Sequence, residues 1–148
     1  MEFHKIDTNK KRYLDLLLLA DEQENMIDKY LERGTLYLLK EQQPIALSVV
    51  TDEGAGVLEI KNIAVSNAFQ RMGYGKRMVD FLIQTYKGTY KILQVGTGET
   101  ATILAFYEKC GFRQSHRVAN FFTDNYDHEI FEDGIQLVDM IYLQMNLR

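Results

Sequence analysis

The first 65 residues combine two short stretches of helical periodicity with four stretches typical of strands. Apolar residues three or four positions apart predict two helices, with Tyr13, Leu14, Leu17 and Leu18 in the first and Met26, Ile27, Tyr30 and Leu31 in the second. We expect Thr8 or Asn9 to cap the first helix and a left-handed Gly34 to end the second. The predicted strands are Phe3 to Ile6, Thr35 to Glu41, Ile45 to Thr51 and Val57 to Val65. Turn signals between the last three predict an antiparallel meander.

The remainder of the chain alternates helices with strands. Gln70 to Gly75 leads into a helix whose apolar face carries Met78, Val79, Leu82 and Ile83, and a further helix is predicted from Ala101 to Cys110, ended by Gly111. Strands are predicted at Lys91 to Val95, Arg113 to Phe122 and Val138 to Leu147. The order β-α-α-β-β-β-α-β-α-β-β predicts an α/β (α+β) fold with a mixed central sheet of about seven strands and helices on both faces. Since no repeat or linker divides the sequence, we expect residues 1–148 to form a single domain.

Composition narrows the class of protein. With 148 residues and 46% hydrophobic residues, the chain can bury a sizeable core without disulfides. A net charge of -4 argues against nucleic acid as a partner. The single Cys110 forms no internal disulfide, and three histidines provide no zinc-ligand spacing, so no metal is expected. No segment reaches the ~18–20 apolar residues of a membrane span, and we expect a cytoplasmic protein.

The most informative segment is the strand ending at Val65 together with Gln70-Arg71-Met72-Gly73-Tyr74-Gly75-Lys76. Its glycines let backbone amides face outward, and the helix that begins here adds its partial positive charge, so the turn can hold a pyrophosphate. A glycine-containing helix start without a ligand is the alternative. The segment lacks the third glycine of the dinucleotide fingerprint and the Gly-Lys-Ser/Thr ending of a nucleotide-triphosphate loop.

Gln70 to Gly75 resembles the acetyl-CoA motif Q/R-x-x-G-x-G/A of the GNAT superfamily of N-acetyltransferases. Ala105 to Phe112 is similar to the family's second signature, a helix ending in Tyr-Glu-Lys-x-Gly-Phe, and Phe121 to Gly134 resembles a subgroup of small uncharacterised bacterial acetyltransferases. The resemblance covers essentially the whole chain. It implies an acetyl-CoA-dependent N-acetyltransferase in which a primary amine of a small molecule or peptide attacks the thioester directly. A catalytically idle acyl-CoA-binding regulatory module is the alternative, and it predicts binding without transfer.

The resemblance also implies which residues hold acetyl-CoA. The backbone from Ile63 to Val65 would pair with the pantetheine arm, with the Ile63 amide polarising the thioester carbonyl, and amides from Arg71 to Lys76 would hold the pyrophosphate. Thr100 stands where many members have Asn, and it keeps only a hydroxyl. The predicted cofactor-binding set is Ile63, Ala64, Val65, Gln70, Arg71, Met72, Gly73, Tyr74, Gly75, Lys76 and Thr100.

Two residues are predicted to be catalytic. Tyr107 matches the phenol that family members use to protonate the departing thiolate, and a helix-end packing role is its alternative. Glu59 matches the glutamate that the histone acetyltransferase branch uses as base. On a regular strand Glu59 shares a face with Lys61 and Ile63, opposite Ile60 and Asn62, and an ion pair with Lys61 is the alternative to the base role. Cys110 has no nearby histidine in the sequence, which argues against a thiol nucleophile.

Charge is unevenly distributed along the chain. Residues 61–91 carry six basic groups and one acidic group, a local +5, whereas residues 124–148 carry six acidic groups and one basic group, a local -5. The basic segment contains the predicted pyrophosphate loop. The acidic loop from Thr123 to Gly134 also carries aromatic residues, and it would attract an ammonium-bearing acceptor. A solvated loop or a dimer contact is the alternative, and open sheet edges are compatible with a homodimer.

Overall fold

A seven-stranded mixed sheet organises the computed structural model, which describes residues 1–147. Its strands are β1 (Glu2–Ile6), β2 (Thr35–Lys40), β3 (Pro44–Gly54), β4 (Val57–Val65), β5 (Ile92–Gly98), β6 (Arg113–Val118) and β9 (Met140–Asn146), in the spatial order β1-β2-β3-β4-β5-β9-β6. Strands β7 (Phe131–Glu132) and β8 (Ile135–Gln136) form a separate hairpin. Only β4 and β5 pair in parallel, and all other neighbours in the described part of the sheet are antiparallel. The predicted fold class and the meander β2-β3-β4 are therefore confirmed.

Helices cover both faces of this sheet. They are α1 (Leu14–Ala20), which follows a 3-10 turn, α2 (Glu24–Ile27), α3 (Tyr74–Tyr86), α4 (Ala101–Lys109) and α5 (Phe121–Asn125). Leu17 and Ile27 pack with Leu36 on one face, and Met78 and Leu82 pack in the core of the other. Each such buried side chain contributes about 1.5–3 kcal/mol of transfer free energy. None of the helices within residues 1–147 has the length and apolar character needed to cross a bilayer.

The predictions for the helix ends near the N-terminus are wrong in detail. α2 ends at Ile27, and turns replace the predicted continuation. Gly34 is absent from the described residues with positive φ. Its lack of a side chain is needed for another reason, because an added Cβ would lie 2.6 Å from Val49 Cγ1. Asn9 precedes the 3-10 turn with φ 52°, but its side chain makes no capping hydrogen bond.

The strand predicted from Arg113 to Phe122 is too long. β6 ends at Val118, and Asn120, with φ 57°, turns the chain into α5. Phe122 then packs with Ile130 and Leu137 in a small cluster of its own. The predicted acidic loop from Thr123 to Gly134 therefore belongs to an ordered α5-β7-β8 segment. This segment lies beside the site described next.

Candidate active site

The sheet opens where β4 and β5 separate. Their parallel pairing extends from Val57 opposite Ile92 to Ile60 opposite Val95. Beyond this point β4 pairs only with β3 and β5 pairs only with β9. Residues 61–65 and 96–98 therefore each present one backbone edge without a strand partner. The gap leads into a cavity of about 860 Å³ between the two strands, α3, α4 and the segment around α5.

The free edge of β4 presents backbone amides to this gap. Ser66 N donates to Ile45 O at 2.8 Å, so the amide of Ser66 faces β3. Because successive residues of a strand direct their N–H and C=O groups to opposite sides, the amides of Ile63 and Val65 face the gap. Gln70 Nε2 donates to Val65 O at 3.1 Å from that side, in agreement with this alternation.

A β-bulge at Lys61 changes which side chains share a face of β4. Asn62 lies opposite Val49 and Ile60 opposite Val50, which leaves Lys61 without a partner residue. The extra residue reverses the alternation. Asn62 consequently faces α1, where its Nδ2 donates to Leu17 O at 3.0 Å. The prediction that Glu59 shares a face with Ile63 and lies opposite Asn62 is therefore wrong: Ile63 packs on the α3 side of the core together with Ile60, and Asn62 lies on the α1 side.

The glycine-containing loop before α3 forms one end of the cavity. Arg71 and Gly73 adopt φ values of 64° and 87°. The first backbone bond within α3 is from Arg77 N to Gly73 O at 3.1 Å, so the amides of residues 74–76 have no partner within the helix. Together with the helix dipole they favour an anion. The cavity wall here also includes Arg71, Lys76 and Lys109.

Tyr107 of α4 lines the cavity. Its ring packs on Phe106 and Phe112 with centroid distances of 5.0 and 5.6 Å, and only 6% of the residue is exposed. Burial raises the pKa of Tyr107, with smaller effects of Cys110 and Glu132. The neutral phenol is therefore the stable form.

Cys110, which follows α4, also lines the cavity. Burial raises the pKa of its thiol, and the nearby charge of Lys76 lowers it to a smaller extent. The thiol of Cys110 is thus held in its neutral form near the α3 loop.

Acidic and aromatic side chains form another part of the cavity wall. Asp21 and Glu22, which follow α1, line the cavity together with Tyr126 and Glu132. Tyr126 and Tyr30 donate to the two oxygens of Asp21 at 2.6 and 3.0 Å. Burial raises the pKa of Asp21 despite these hydrogen bonds. Asp21 and Glu22 were not predicted as site residues, because nothing in the local pattern indicates that a segment 105 residues after Asp21 folds against it.

Three predicted site residues lie outside the cavity wall, and the others line it. Glu59 is 5% exposed and accepts from Lys61 Nζ at 2.8 Å and Gln94 Nε2 at 2.6 Å. Met72 is 63% exposed. Thr100 is buried and caps α4, its Oγ1 accepting from Ile103 N at 3.3 Å. The base role of Glu59 and the cofactor contacts of Met72 and Thr100 stay predictions without a supporting contact.

A parallel strand pair that separates beside the free amides of a helix start is the acyl-CoA site architecture of the GNAT acetyltransferases. The chain belongs to this family: the model of the acetyltransferase (GNAT) domain matches residues 32–114. The lining of the cavity fits acetyl-CoA. The open edge of β4 suits the amide groups of the pantetheine arm, and the amides and basic side chains at the α3 loop suit the phosphates.

Three relatives support the assignment. The chain is 39% identical over 144 residues to the uncharacterized N-acetyltransferase YvbK of Bacillus subtilis (strain 168), covering 95% of this chain and 92% of that protein. A GNAT acetyltransferase from Elizabethkingia anophelis with acetyl-CoA bound is 40% identical, with a TM-score of 0.92 over 98% of this chain and 97% of that one. A Bacillus subtilis acetyltransferase in complex with CoA is 34% identical, with a TM-score of 0.88 over 98% and 97%. The protein is an acetyltransferase, and acetyl-CoA is its co-substrate.

Proposed function

We propose that this acetyltransferase transfers the acetyl group to a primary amine of a small molecule or peptide by direct attack on the thioester. The observation that carries the proposal is that one cavity wall has a basic part, with Arg71 and Lys76 at the α3 loop, and an acidic part, with Asp21, Glu22 and Glu132. We call these parts the basic end and the acidic end. The acidic end attracts an ammonium group, and the adjacent ring of Tyr126 adds a face on which a cation can rest.

The residues that we assign to acetyl-CoA lie at the basic end. The free edge from Ile63 to Val65 would hold the pantetheine arm, and the amides of residues 74–76 would hold the pyrophosphate. Acetyl-CoA supplies the activated acetyl group. The Ile63 amide, which faces the gap, would donate to the thioester oxygen as negative charge develops there.

Two features of the cavity favour direct attack. Tyr107 keeps its proton and lines the cavity, as a donor to a departing thiolate must. Cys110 is the one thiol of the chain, and it is neutral and lies by the α3 loop rather than at the acidic end. A covalent acetyl-cysteine intermediate would need a thiolate.

The proposal is tested by measuring release of free thiol from acetyl-CoA with a panel of primary amines. The panel contains n-butylamine, spermidine, kanamycin, leucine and a peptide with a free N-terminus, and N,N-dimethylbutylamine and n-butanol are the controls. We expect turnover with at least one primary amine and none above background with the tertiary amine. Transfer to the alcohol instead, or acetyl-CoA binding without transfer to any amine, would overturn the proposal; the second result is that of an idle binding module.

A further inference from the structure

Two buried hydrogen-bond acceptors at the acidic end lack a protein donor. Among the buried side-chain nitrogen and oxygen atoms of residues 1–147, only Asn62 Oδ1 and Glu132 Oε2 have no hydrogen-bond partner. Both residues line the same cavity, Asn62 from β4 and Glu132 from β7. Since buried polar atoms are nearly always paired, an unpaired buried acceptor in a residue of the cavity wall indicates a missing donor.

The orientation of the Asn62 side chain is fixed by its neighbours. Its nitrogen lies 3.0 Å from Leu17 O, and a backbone carbonyl can only accept. The same nitrogen donates to Tyr30 Oη at 3.1 Å. Asn62 is 3% exposed, so its oxygen is a buried acceptor directed away from these two partners.

Glu132 is held in place by an ordered hairpin. It pairs with Ile135 across β7 and β8, and Leu137 N donates to Ile130 O at 2.8 Å at the base of the hairpin. The preceding segment is tied to the α1-α2 connection, where Tyr126 donates to Asp21 and His128 Nε2 lies 2.9 Å from Glu22 Oε1. The position of the carboxylate is therefore set by the fold.

The other acids near the site are less suited to receive a proton. Both oxygens of Asp21 accept from tyrosine hydroxyls. Glu59 is held by Lys61 and Gln94 outside the cavity wall. Burial raises the pKa of Glu132, and the neighbouring negative charges of Asp133 and Glu22 raise it further. A more basic carboxylate is a more effective acceptor of an amine proton.

We propose that Asn62 and Glu132 form the acceptor subsite, with Asn62 Oδ1 positioning the ammonium group and the Glu132 carboxylate acting as the general base. The assignment rests on the proposed function and names the residues that serve it. An alkylammonium group has three N–H donors and no acceptor, which matches two unpaired acceptors. Both Tyr107 and Glu132 line this cavity, so the proposed acid and the proposed base belong to one site.

Glu132 and Tyr107 each move one proton during acetyl transfer. Glu132 takes one proton from the ammonium group, and the freed nitrogen lone pair forms the N–C bond to the thioester carbonyl carbon. The C–S bond breaks, and the electron pair that leaves with sulfur takes the Tyr107 proton, giving the CoA thiol. Tyr107 regains a proton from the acylated nitrogen, which becomes a neutral amide, and Glu132 releases its proton to solvent. The sum is one amide, one thiol and one proton.

The test compares Glu132→Gln with Glu129→Gln, the same change at an exposed position of the same segment that does not line the cavity. Each variant is assayed with n-butylamine, which is protonated at neutral pH, and with methoxyamine, which is not. We expect Glu132→Gln to lower kcat/KM for n-butylamine by about 10²–10⁴-fold, the usual contribution of a general base. The loss with methoxyamine should be less than about tenfold, because an unprotonated nitrogen gives up no proton before it attacks.

A pH profile separates a base from a residue that only shapes the site. The rate of Glu132→Gln with n-butylamine should keep rising with pH as the free amine forms, whereas the wild-type rate levels off earlier. The charged and titratable groups that act with Glu132 are Asp133, Glu22 and Tyr107, and all three are retained. Unchanged acetyl-CoA affinity and melting temperature would show that Glu132→Gln is folded.

Three results would overturn the assignment, and they differ in whether the proposed function stands. If wild-type protein acetylates n-butylamine and Glu132→Gln does so equally well, or if the variant loses activity equally with both amines, Glu132 is not the base while the proposed function stands. If wild-type protein binds acetyl-CoA and acetylates no amine, the proposed function and this assignment fail together.

Discussion

Replacing Tyr107 by Phe removes one oxygen atom from the cavity wall. The ring contacts with Phe106 and Phe112 are kept, and the lost hydroxyl makes no side-chain hydrogen bond within residues 1–147. We therefore expect the free energy of unfolding to change by less than about 1 kcal/mol, which corresponds to no more than about 2–4 °C in melting temperature for a chain of this size.

The effect on turnover is worked from the same surroundings. General acids usually contribute about 10²–10⁴-fold. Burial raises the pKa of Tyr107 above that of an ordinary phenol, whereas a thiol has a reference pKa of about 8.5. Because the donor is the weaker acid, we expect the lower end of the range, about 10²-fold in kcat, or about 2.7 kcal/mol in the barrier.

The assay is thiol release at saturating acetyl-CoA, with acetyl-CoA affinity measured by calorimetry. Tyr90→Phe is the matched control, since its hydroxyl donates to Asp52 at 3.2 Å and Tyr90 does not line the cavity. Wild-type turnover by Tyr107→Phe would refute the acid role and leave Tyr107 as a packing residue. An equal loss in Tyr90→Phe would show that the measured effect is structural.

Two further substitutions test the acetyl-CoA site and the role of Glu59. Gly75→Val should weaken acetyl-CoA binding at least about tenfold, or about 1.4 kcal/mol, because an added Cβ at Gly75 would lie 3.2 Å from Phe106 Cζ. Gly88→Val is the control, since a Cβ at Gly88 meets nothing within 4 Å. Equal acetyl-CoA affinities of the two variants in calorimetry would contradict the site. Glu59→Gln should lower the free energy of unfolding by about 1–3 kcal/mol, since it leaves Lys61 without its 2.8 Å carboxylate partner, while turnover of n-butylamine changes less than about threefold. A loss of turnover as large as that of Glu132→Gln, without loss of stability, would assign the base role to Glu59.

The sequence predicted the sheet better than its irregular features. Periodicity and turn signals located β4 at Val57 to Val65 with the bounds that the structure has. They could not reveal the bulge at Lys61, because an extra residue in a strand leaves no signature in a polar-apolar pattern. The bulge reverses the alternation of side chains after Lys61, and so the predicted positions of Asn62 and Ile63 relative to Glu59 were wrong.

The two ends of the cavity differed in how far they could be predicted. The α3 loop is local, and Gln70 to Gly75 carry its glycines within a few residues, so a motif describes it. The acidic end joins Asp21 to Tyr126 across 105 residues. Such a contact depends on the turn at Asn120, which has φ 57° and sets the direction of α5. Single-sequence patterns contain no information about this long-range packing.

The central claim, direct transfer of the acetyl group to a primary amine, is tested most directly by initial rates with acetyl-CoA and the fastest amine of the panel varied together. The product is identified by mass spectrometry. Direct attack requires both substrates on the enzyme at once, so we predict intersecting double-reciprocal lines and an N-acetyl product. Parallel lines, the pattern of a covalent acetyl-enzyme, or acetyl found on a hydroxyl group of the acceptor would contradict the account.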